Sequence, residues 1–282
     1  MKMEISVVTP SFNMLGYLQR CAASIADQQG VNAEHIVIDG GSTDGTVDWL
    51  TGNPSIISAS EKDKGMYDAI NKGLRLAKGE ILAYLNCDEQ YLPETLALVR
   101  DTFACHPEID ILFGDVLVVN PEGELVAFRK VFRPRVAYIL TSHLYTFSCA
   151  MFFRRKIVEN GFLFNPDFKI AGDADWVIRC LRDGYRTGHF RGFLSVFVDT
   201  GSNLSKGKEA LRLARNEYCR KMPLWLRMSR KLVYGTYLLE KFFQGAYHQV
   251  FPLRYAIYCT GHLRQRVTQI AESGTFRWRN NQ

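Results

Sequence analysis

No stretch of this 282-residue sequence approaches the ~20 consecutive apolar residues of a spanning helix. The N-terminus, MKMEISVVTP, enters a strand pattern without the apolar core and small-residue cleavage site of a secretory leader. Neither secretion nor membrane spanning is expected. Cysteine occurs seven times, at 21, 87, 105, 149, 180, 219 and 259, never as C-x-x-C and never clustered with histidine. That removes a zinc ligand set and a disulfide framework and fits a reducing cytosol. The first strand is not followed by G-x-G-x-x-G, so the dinucleotide fingerprint of an oxidoreductase is missing. No DNA- or RNA-binding motif is present, and nucleic acid is not an expected partner.

What is present is enough apolar residue, 47%, to bury one substantial core. Charge divides unevenly. Residues 203–282 hold fifteen Lys or Arg against four acids, whereas residues 1–202 hold twenty against twenty-five. The first hundred residues alternate strand and helix patterns: Ile5–Val8, a stripe at Leu18, Cys21, Ala22 and Ile25, His35–Ile38, Thr46–Leu50, Ser55–Ser58, and a second stripe at Met66, Ile70, Leu74 and Ala77. This order implies a doubly wound parallel sheet, whose ligands bind at the carboxyl ends of strands. The polar clusters fall there: Thr9-Pro10-Ser11-Phe12-Asn13, Asp39-Gly40-Gly41, Glu61-Lys62-Asp63 and Asn86-Cys87-Asp88-Glu89. Later strands are expected at 110–119, 125–128, 149–153 and 193–198, with a helix over 174–181.

Each cluster has a plain reading as well as a chemical one. Asp88-Glu89 is either a solvated turn or a ligand pair for a hard cation. In Asp39-Gly-Gly-Ser-Thr-Asp44-Gly-Thr46, either Asp44 or Ser42 caps the following helix, and Asp39 is placed to accept hydrogen bonds from a base or ribose. Asp68 and Lys72 stand four apart and form at least a surface pair.

Together VVTPSFN, VIDGGSTDGT, SEKDKGMYDAINKG, LNCDE and AGDADW resemble, in order and spacing, the motifs of family 2 glycosyltransferases, chiefly bacterial enzymes of surface polysaccharide and lipopolysaccharide synthesis. The resemblance spans roughly residues 4–200. It implies the GT-A fold, a mostly parallel α/β sheet with a Rossmann-like nucleotide half (about 1–100) and an acceptor half (101–202), followed by a helical tail (203–282). It implies a nucleotide-sugar donor, UDP-linked by family frequency, and a Mn2+ or Mg2+ cofactor. On this basis Thr9, Pro10, Ser11 and Asn13 lie along the nucleotide, Asp39 and Asp63 face its base and ribose, and Asp68 lies on the sugar-diphosphate side. Asp88 faces ribose or metal and Glu89 ligates the cation, although Glu89 departs from the commoner Asp-Asp ending by one methylene. Asp173 is assigned as the base of an inverting transfer and Asp175 as its neighbour, while capping of the helix remains the alternative for either acid. Asp115, His143, Arg154 and Arg155 are secondary candidates.

Two rivals differ in chemistry. A sugar nucleotidyltransferase should carry a Gly-rich, Arg-containing loop where TPSFNM stands. A non-catalytic binding or assembly protein would keep the fold without turnover.

The tail is expected to be two or three helices. Within 224–247, Trp225, Met228, Leu232, Leu239, Phe242 and Phe243 share a face, with Arg227, Arg230, Lys231 and Lys241 largely elsewhere. Such a face packs on its own domain or lies in a membrane interface, where basic residues attract anionic lipid. With the resemblance, the expected partners are a nucleotide sugar, a glycan or lipid-linked acceptor and an anionic membrane surface. The expected location is the cytoplasm, peripheral on the inner membrane face.

Overall fold

The computed structural model describes residues 3–201, 203 and 222–277. Three strand-helix units open the chain. β1 (Ile5–Ser11) leads to α1 (Leu15–Ala26), β2 (Ala33–Asp39) to α2 (Thr46–Thr51), and β3 (Ile57–Ser60) to α3 (Met66–Leu76), with β4 (Ile81–Tyr84) next. These strands pair in parallel in the order β3-β2-β1-β4. β1 and β4 are buried along their whole length because helices cover both faces of the sheet. The fit is close: a Cβ on Gly73 of α3 would stand 2.3 Å from Val8 Cγ1 of β1.

Beyond β4 the pairing becomes mixed. After α4 (Thr95–Cys105), β6 (Ile111–Val119) carries the hairpin strand β7 (Leu125–Arg129). β8 (Met151–Arg154) runs antiparallel to both β4 and β6 and so joins the two halves. β9 (Thr187–Val198) lies parallel to β6, and the short β5 (Glu89–Tyr91) ends the sheet antiparallel to β9. The helices α5 (Val136–Thr141), α6 (Lys156–Glu159) and α7 (Gly172–Arg182) complete this part. Two expected boundaries move. Glu89 begins a strand of its own, and α7 starts two residues before Ala174, which places Asp173 inside its first turn.

Behind the strand ends stands an aromatic column. Phe164 stacks on Trp176 (5.1 Å between centroids) and meets Tyr67 and Tyr84 at 5.7 and 5.3 Å. Asn71 locks it by donating to the Phe164 carbonyl (2.7 Å) and accepting from its N–H (2.9 Å).

The tail corrects the all-helical expectation. After α8 (Leu224–Met228) and α9 (Arg230–Phe243) come β10 (Leu253–Cys259) and β11 (His262–Ala271), an antiparallel hairpin. In β10, Tyr255 and Ile257 are buried while Arg254 is exposed and Ala256 half-buried, an alternation that fits a strand covered on one side and that ends at the buried Tyr258. Gly261, at φ +80°, makes the tight turn. This hairpin is bolted to α1 and β5: the Arg266 guanidinium holds Asp27 at 2.6 and 2.7 Å, and the Gln90 side chain bonds both the N–H and carbonyl of Tyr258.

The apolar stripe of the tail helices is not their packed face. Trp225, Met228, Leu232, Leu239, Phe242 and Phe243 are exposed, Met228 and Phe243 by 80% or more. α9 instead buries Tyr237 against Phe132 and Tyr145 (5.8 and 5.2 Å), and its Glu240 accepts hydrogen bonds from Arg135 and Tyr138 (3.1 and 2.8 Å). Among the described residues no helix is long and apolar enough to cross a membrane, and all six cysteines are free.

Candidate active site

The carboxyl ends of β1, β4 and β9 and the start of α7 open on one cavity of about 900 Å³, of the size that holds a substantial ligand. Pro10, Ser11, Asp63, Asp88, Glu89 and Asp173 line it. Thr9, Asn13, Asp39, Asp68 and Asp175 are not among its lining residues.

The second group has local work instead. Thr9 is fully buried with Oγ1 2.9 Å from His35 Nε2. Asp39, opposite Ser11 in the sheet register, has no exposed surface. Burial alone would raise its pKa, but hydrogen bonds from Ser42 Oγ, Ser60 Oγ and the Ser42 and Gly41 amides outweigh it and hold the carboxyl below its usual value. Three of these donors crowd Oδ2 and Ser42 Oγ takes Oδ1, so Asp39 shapes the glycine loop while Oδ1 keeps room for one more donor. Asn13, at φ +51°, clamps the same loop: its amide donates to Ser42 Oγ (2.7 Å) and its Oδ1 accepts from the Thr43 amide (2.8 Å). Asp44 ties two helix starts together, accepting from Leu15 N–H and from Thr46.

Gly40 allows a close approach of Asp63 and Phe12. A Cβ there would come 3.0 Å from Asp63 Oδ2 and 3.3 Å from the Phe12 ring. Asp63 Oδ1 accepts from the Gly65 amide (2.8 Å), which leaves the carboxylate at the cavity wall. Asp68 accepts from Lys64 N–H and faces Lys72 at 3.6 Å, while Lys72 reaches Glu61 at 2.8 Å. This is the surface cluster that the four-residue spacing describes.

Asp88 and Glu89 are nearly enclosed, Glu89 with 1% of its surface exposed. Glu89 Oε2 accepts from the Asn86 amide (2.8 Å), whereas its Oε1 is buried with no hydrogen-bond partner among the described residues. Asp88 accepts from Asn203 Nδ2 at 3.1 Å. Burial pushes both carboxyls well above the carboxylate range, and for Glu89 the Asp88 charge adds to it. Two like charges held in a low-dielectric pocket are costly unless a cation joins them.

The α7 acids divide cleanly. Asp175 is 4% exposed, and its carboxylate takes a 2.8 Å bond from Arg179 Nε, whose other arm holds the Leu163 carbonyl. Asp173 lines the cavity. Its Oδ1 accepts from the Ala174 amide (2.8 Å), and its own amide donates to the Tyr67 hydroxyl (3.2 Å), which in turn donates to the Ile170 carbonyl. The helix N-cap is Ala171, without a side-chain cap, so Asp173 is not the cap.

The whole chain was compared with known proteins. Residues 6–162 match the family model described as "Glycosyl transferase family 2". The chain belongs to that family. A PGL/p-HBAD biosynthesis glycosyltransferase of Mycobacterium bovis is 27% identical over 239 residues, covering 81% of this chain and 87% of that protein. Among solved structures, Staphylococcus aureus TarS 1-349 in complex with UDP-GlcNAc overlays with a TM-score of 0.61 at 15% identity, covering 90% of this chain and 96% of that one; this chain spans 44% of a longer TarS chain. The mannosyltransferase PcManGT of Pyrobaculum calidifontis, in complex with GDP-Man and Mn2+, gives 0.55 at 19% identity, covering 89% and 77%. These overlays establish the GT-A fold.

The glycosyltransferase's own residues fit a divalent cation. An orphaned buried carboxylate oxygen on Glu89 beside Asp88 supplies the hard oxygen ligands such an ion takes. Among the described residues there is no cluster of three or more metal-binding side chains, so substrate phosphates and water would add ligands to an ion held by this pair. That is how Mg2+-like ions bind in phosphate sites.

Sequence reasoning missed part of the wall. Tyr84, Asn203 and the α9 residues Tyr234, Tyr237, Leu238 and Lys241 all line the cavity. Tyr84 ends a strand whose apolar neighbours hid its exposure to a site, and nothing local to the tail shows that it folds back onto the strand ends. Of the secondary candidates, His143 lines the cavity. Asp115 lies within β6, accepting from the Val131 amide (2.8 Å), and Arg154 and Arg155 bond the carbonyls of Ile109, Phe103 and Gly79.

Proposed function

We propose that this glycosyltransferase transfers a sugar with inversion from a nucleoside-diphosphate sugar, UDP-linked, to a hydroxyl of a glycan or lipid-linked acceptor in bacterial polysaccharide synthesis. The carrying observation is that Asp173 and the Asp88–Glu89 pair line one cavity, while Asp175 is spent on Arg179. The acceptor oxygen attacks the anomeric carbon, its proton passes to the Asp173 carboxylate, and the nucleoside diphosphate leaves with the electrons of the old glycosidic bond. Asp88 and Glu89 would hold a divalent cation, which when bound stabilises the charge growing on the leaving diphosphate. Ser11, whose buried Oγ has no partner among the described residues, and Asp63 would contact the nucleotide. UDP-GlcNAc and GDP-Man with Mn2+ in the solved relatives support the donor class and the ion.

The exposed stripe on α8 and α9, on a tail with fifteen basic residues, supports peripheral attachment to anionic membrane on the cytoplasmic side, each basic residue near the surface adding about 1 kcal/mol. We assign 1–202 as the transferase domain and 203–282 as a tail, whose described residues 222–277 pack onto it. Because that tail supplies cavity wall, the membrane test uses the full chain with Leu239, Phe242 and Phe243 changed to Ser. Vesicle flotation should drop sharply, and equal flotation would remove the membrane claim.

The activity test is a hydrolysis screen of purified protein against a panel of nucleotide sugars with Mn2+, Mg2+ or EDTA. Turnover of at least one donor, dependent on the ion, is expected. Absence of both binding and turnover for every donor would end this reading.

A further inference from the structure

The cavity has a second charged end. Arg129, on β7, and Lys241, on α9, line it together with His143. Neither cation has an ion pair or hydrogen bond with an acid among the described residues. Arg129 lies over the Phe147 ring (5.7 Å), and Lys241 over Tyr247 and Tyr237 (5.0 and 6.0 Å). The one acid beside them in sequence, Glu240, is committed to Arg135 and Tyr138.

The Arg129 charge is felt at Lys241. Burial, then Arg129, brings Lys241 down to about 8, and burial also lowers Arg129. His143 is open to the cavity yet walled in by protein. That enclosure, with Arg129 and Lys241 nearby, lowers it to about 4. Neither Asp88 nor Glu89 contributes to any of these shifts, and neither Arg129 nor Lys241 contributes to those of the two carboxyls. No acid pairs with Arg129 or Lys241 among the described residues, and their contacts with the Phe147, Tyr237 and Tyr247 rings offset only part of the cost of partly burying two cations, so an anion entering this end of the cavity would be stabilised there.

Resting on the transferase reading above, we propose that Arg129 and Lys241, with His143 at the rim, form an anion subsite for a phosphate carried by the acceptor. Arg129 offers the planar fork that matches phosphate oxygens and Lys241 a mobile point charge. A phosphate, at nearly two negative charges, balances the two cations where a single carboxylate would not. Leu238 lines the cavity and is itself partly exposed, which puts an apolar side chain of α9 beside the proposed subsite.

The test is calorimetric titration of the full-length protein with decyl phosphate, with glucose 1-phosphate, and with UDP plus Mn2+. Wild type should bind a phosphate ester, Lys241→Met should weaken that binding about tenfold or more, and UDP binding should be unchanged in that variant. Arg129→Met should behave alike. Should it fail to fold, Lys241→Met, on a half-exposed side chain, still decides. Glu89→Gln should do the reverse, losing UDP and keeping the phosphate ester. Decyl phosphate binding at least tenfold tighter than glucose 1-phosphate identifies a lipid headgroup, and equal affinity a soluble phosphate ester. The proposal is overturned if wild type binds neither ester, if Lys241→Met binds them as wild type does, or if that variant loses UDP, which would give the basic end to the donor. Failure of UDP to bind wild type at all would instead count against the transferase reading.

Discussion

Arg179 Nε stands 2.8 Å from a carboxylate oxygen of Asp175, one helical turn away, and takes that acid out of the cavity that Asp173 lines. The two acids of the Ala171–Trp176 segment therefore have different work. Asp173→Asn should lower transfer roughly 100-fold or more while leaving nucleotide binding intact. Asp175→Ala should leave turnover per folded molecule nearly unchanged and cost on the order of 3 kcal/mol of stability by stranding Arg179. Initial rates set beside urea denaturation curves separate the two, and full activity in Asp173→Asn would displace it as the base.

Glu89 faces Asp88 with one oxygen unpartnered. Glu89→Gln removes the cost of keeping a buried carboxyl, pushed up to about 8, beside Asp88, so in EDTA at neutral pH the variant should melt above wild type. With saturating Mn2+ and nucleotide the order should reverse, because wild type alone gains the bound ligand's stabilisation. Thermal shift under both conditions reads this.

The Tyr67 hydroxyl bridges the Asp173 amide and the Ile170 carbonyl, and a Cβ on Gly172 would meet its ring at 2.6 Å. Tyr67→Phe should cost about 1 kcal/mol of stability. It should lower kcat more than it alters the KM for donor, since it loosens the turn carrying Asp173 and leaves the carboxylate pair alone.

Asp115 is pushed up to about 7 by burial. Its folded-state pKa lies above the unfolded value near 3.8, so the folded chain binds more protons between those pH values, and stability falls as pH rises from about 4 to 7. Asp115→Asn, which keeps an acceptor for the Val131 amide, should flatten that fall by up to about 4 kcal/mol and exceed wild type in stability above pH 7. Denaturation midpoints across the range test it, and parallel curves for the two proteins would contradict it.

The strand-helix alternation made the parallel N-terminal sheet legible, because covered strands are apolar throughout and helices carry their own period. The segment ends were legible as polar clusters, and Ser11, Asp63, Asp88, Glu89 and Asp173 do line the cavity. Direction of side chains was not. Asp39 and Asn13 sit in the same motifs, yet their short polar groups close on the loop's own backbone, a choice that depends on Ser60 and Thr43 arriving from elsewhere. Arg179 lies one turn beyond the motif that suggested Asp175. The β10–β11 hairpin escaped notice because a strand covered on one side reads weakly amid basic residues, and its anchor, Arg266 on Asp27, spans most of the chain.

The central claim is that Asp88 and Glu89 hold the donor's diphosphate through a divalent cation. Calorimetric titration of UDP into wild type, Asp88→Asn and Glu89→Gln, each with Mn2+ and with EDTA, tests it most directly. The account predicts binding to wild type that depends on Mn2+ and falls at least tenfold in both variants. Equal UDP affinity with and without the ion, unchanged in the two variants, would contradict it.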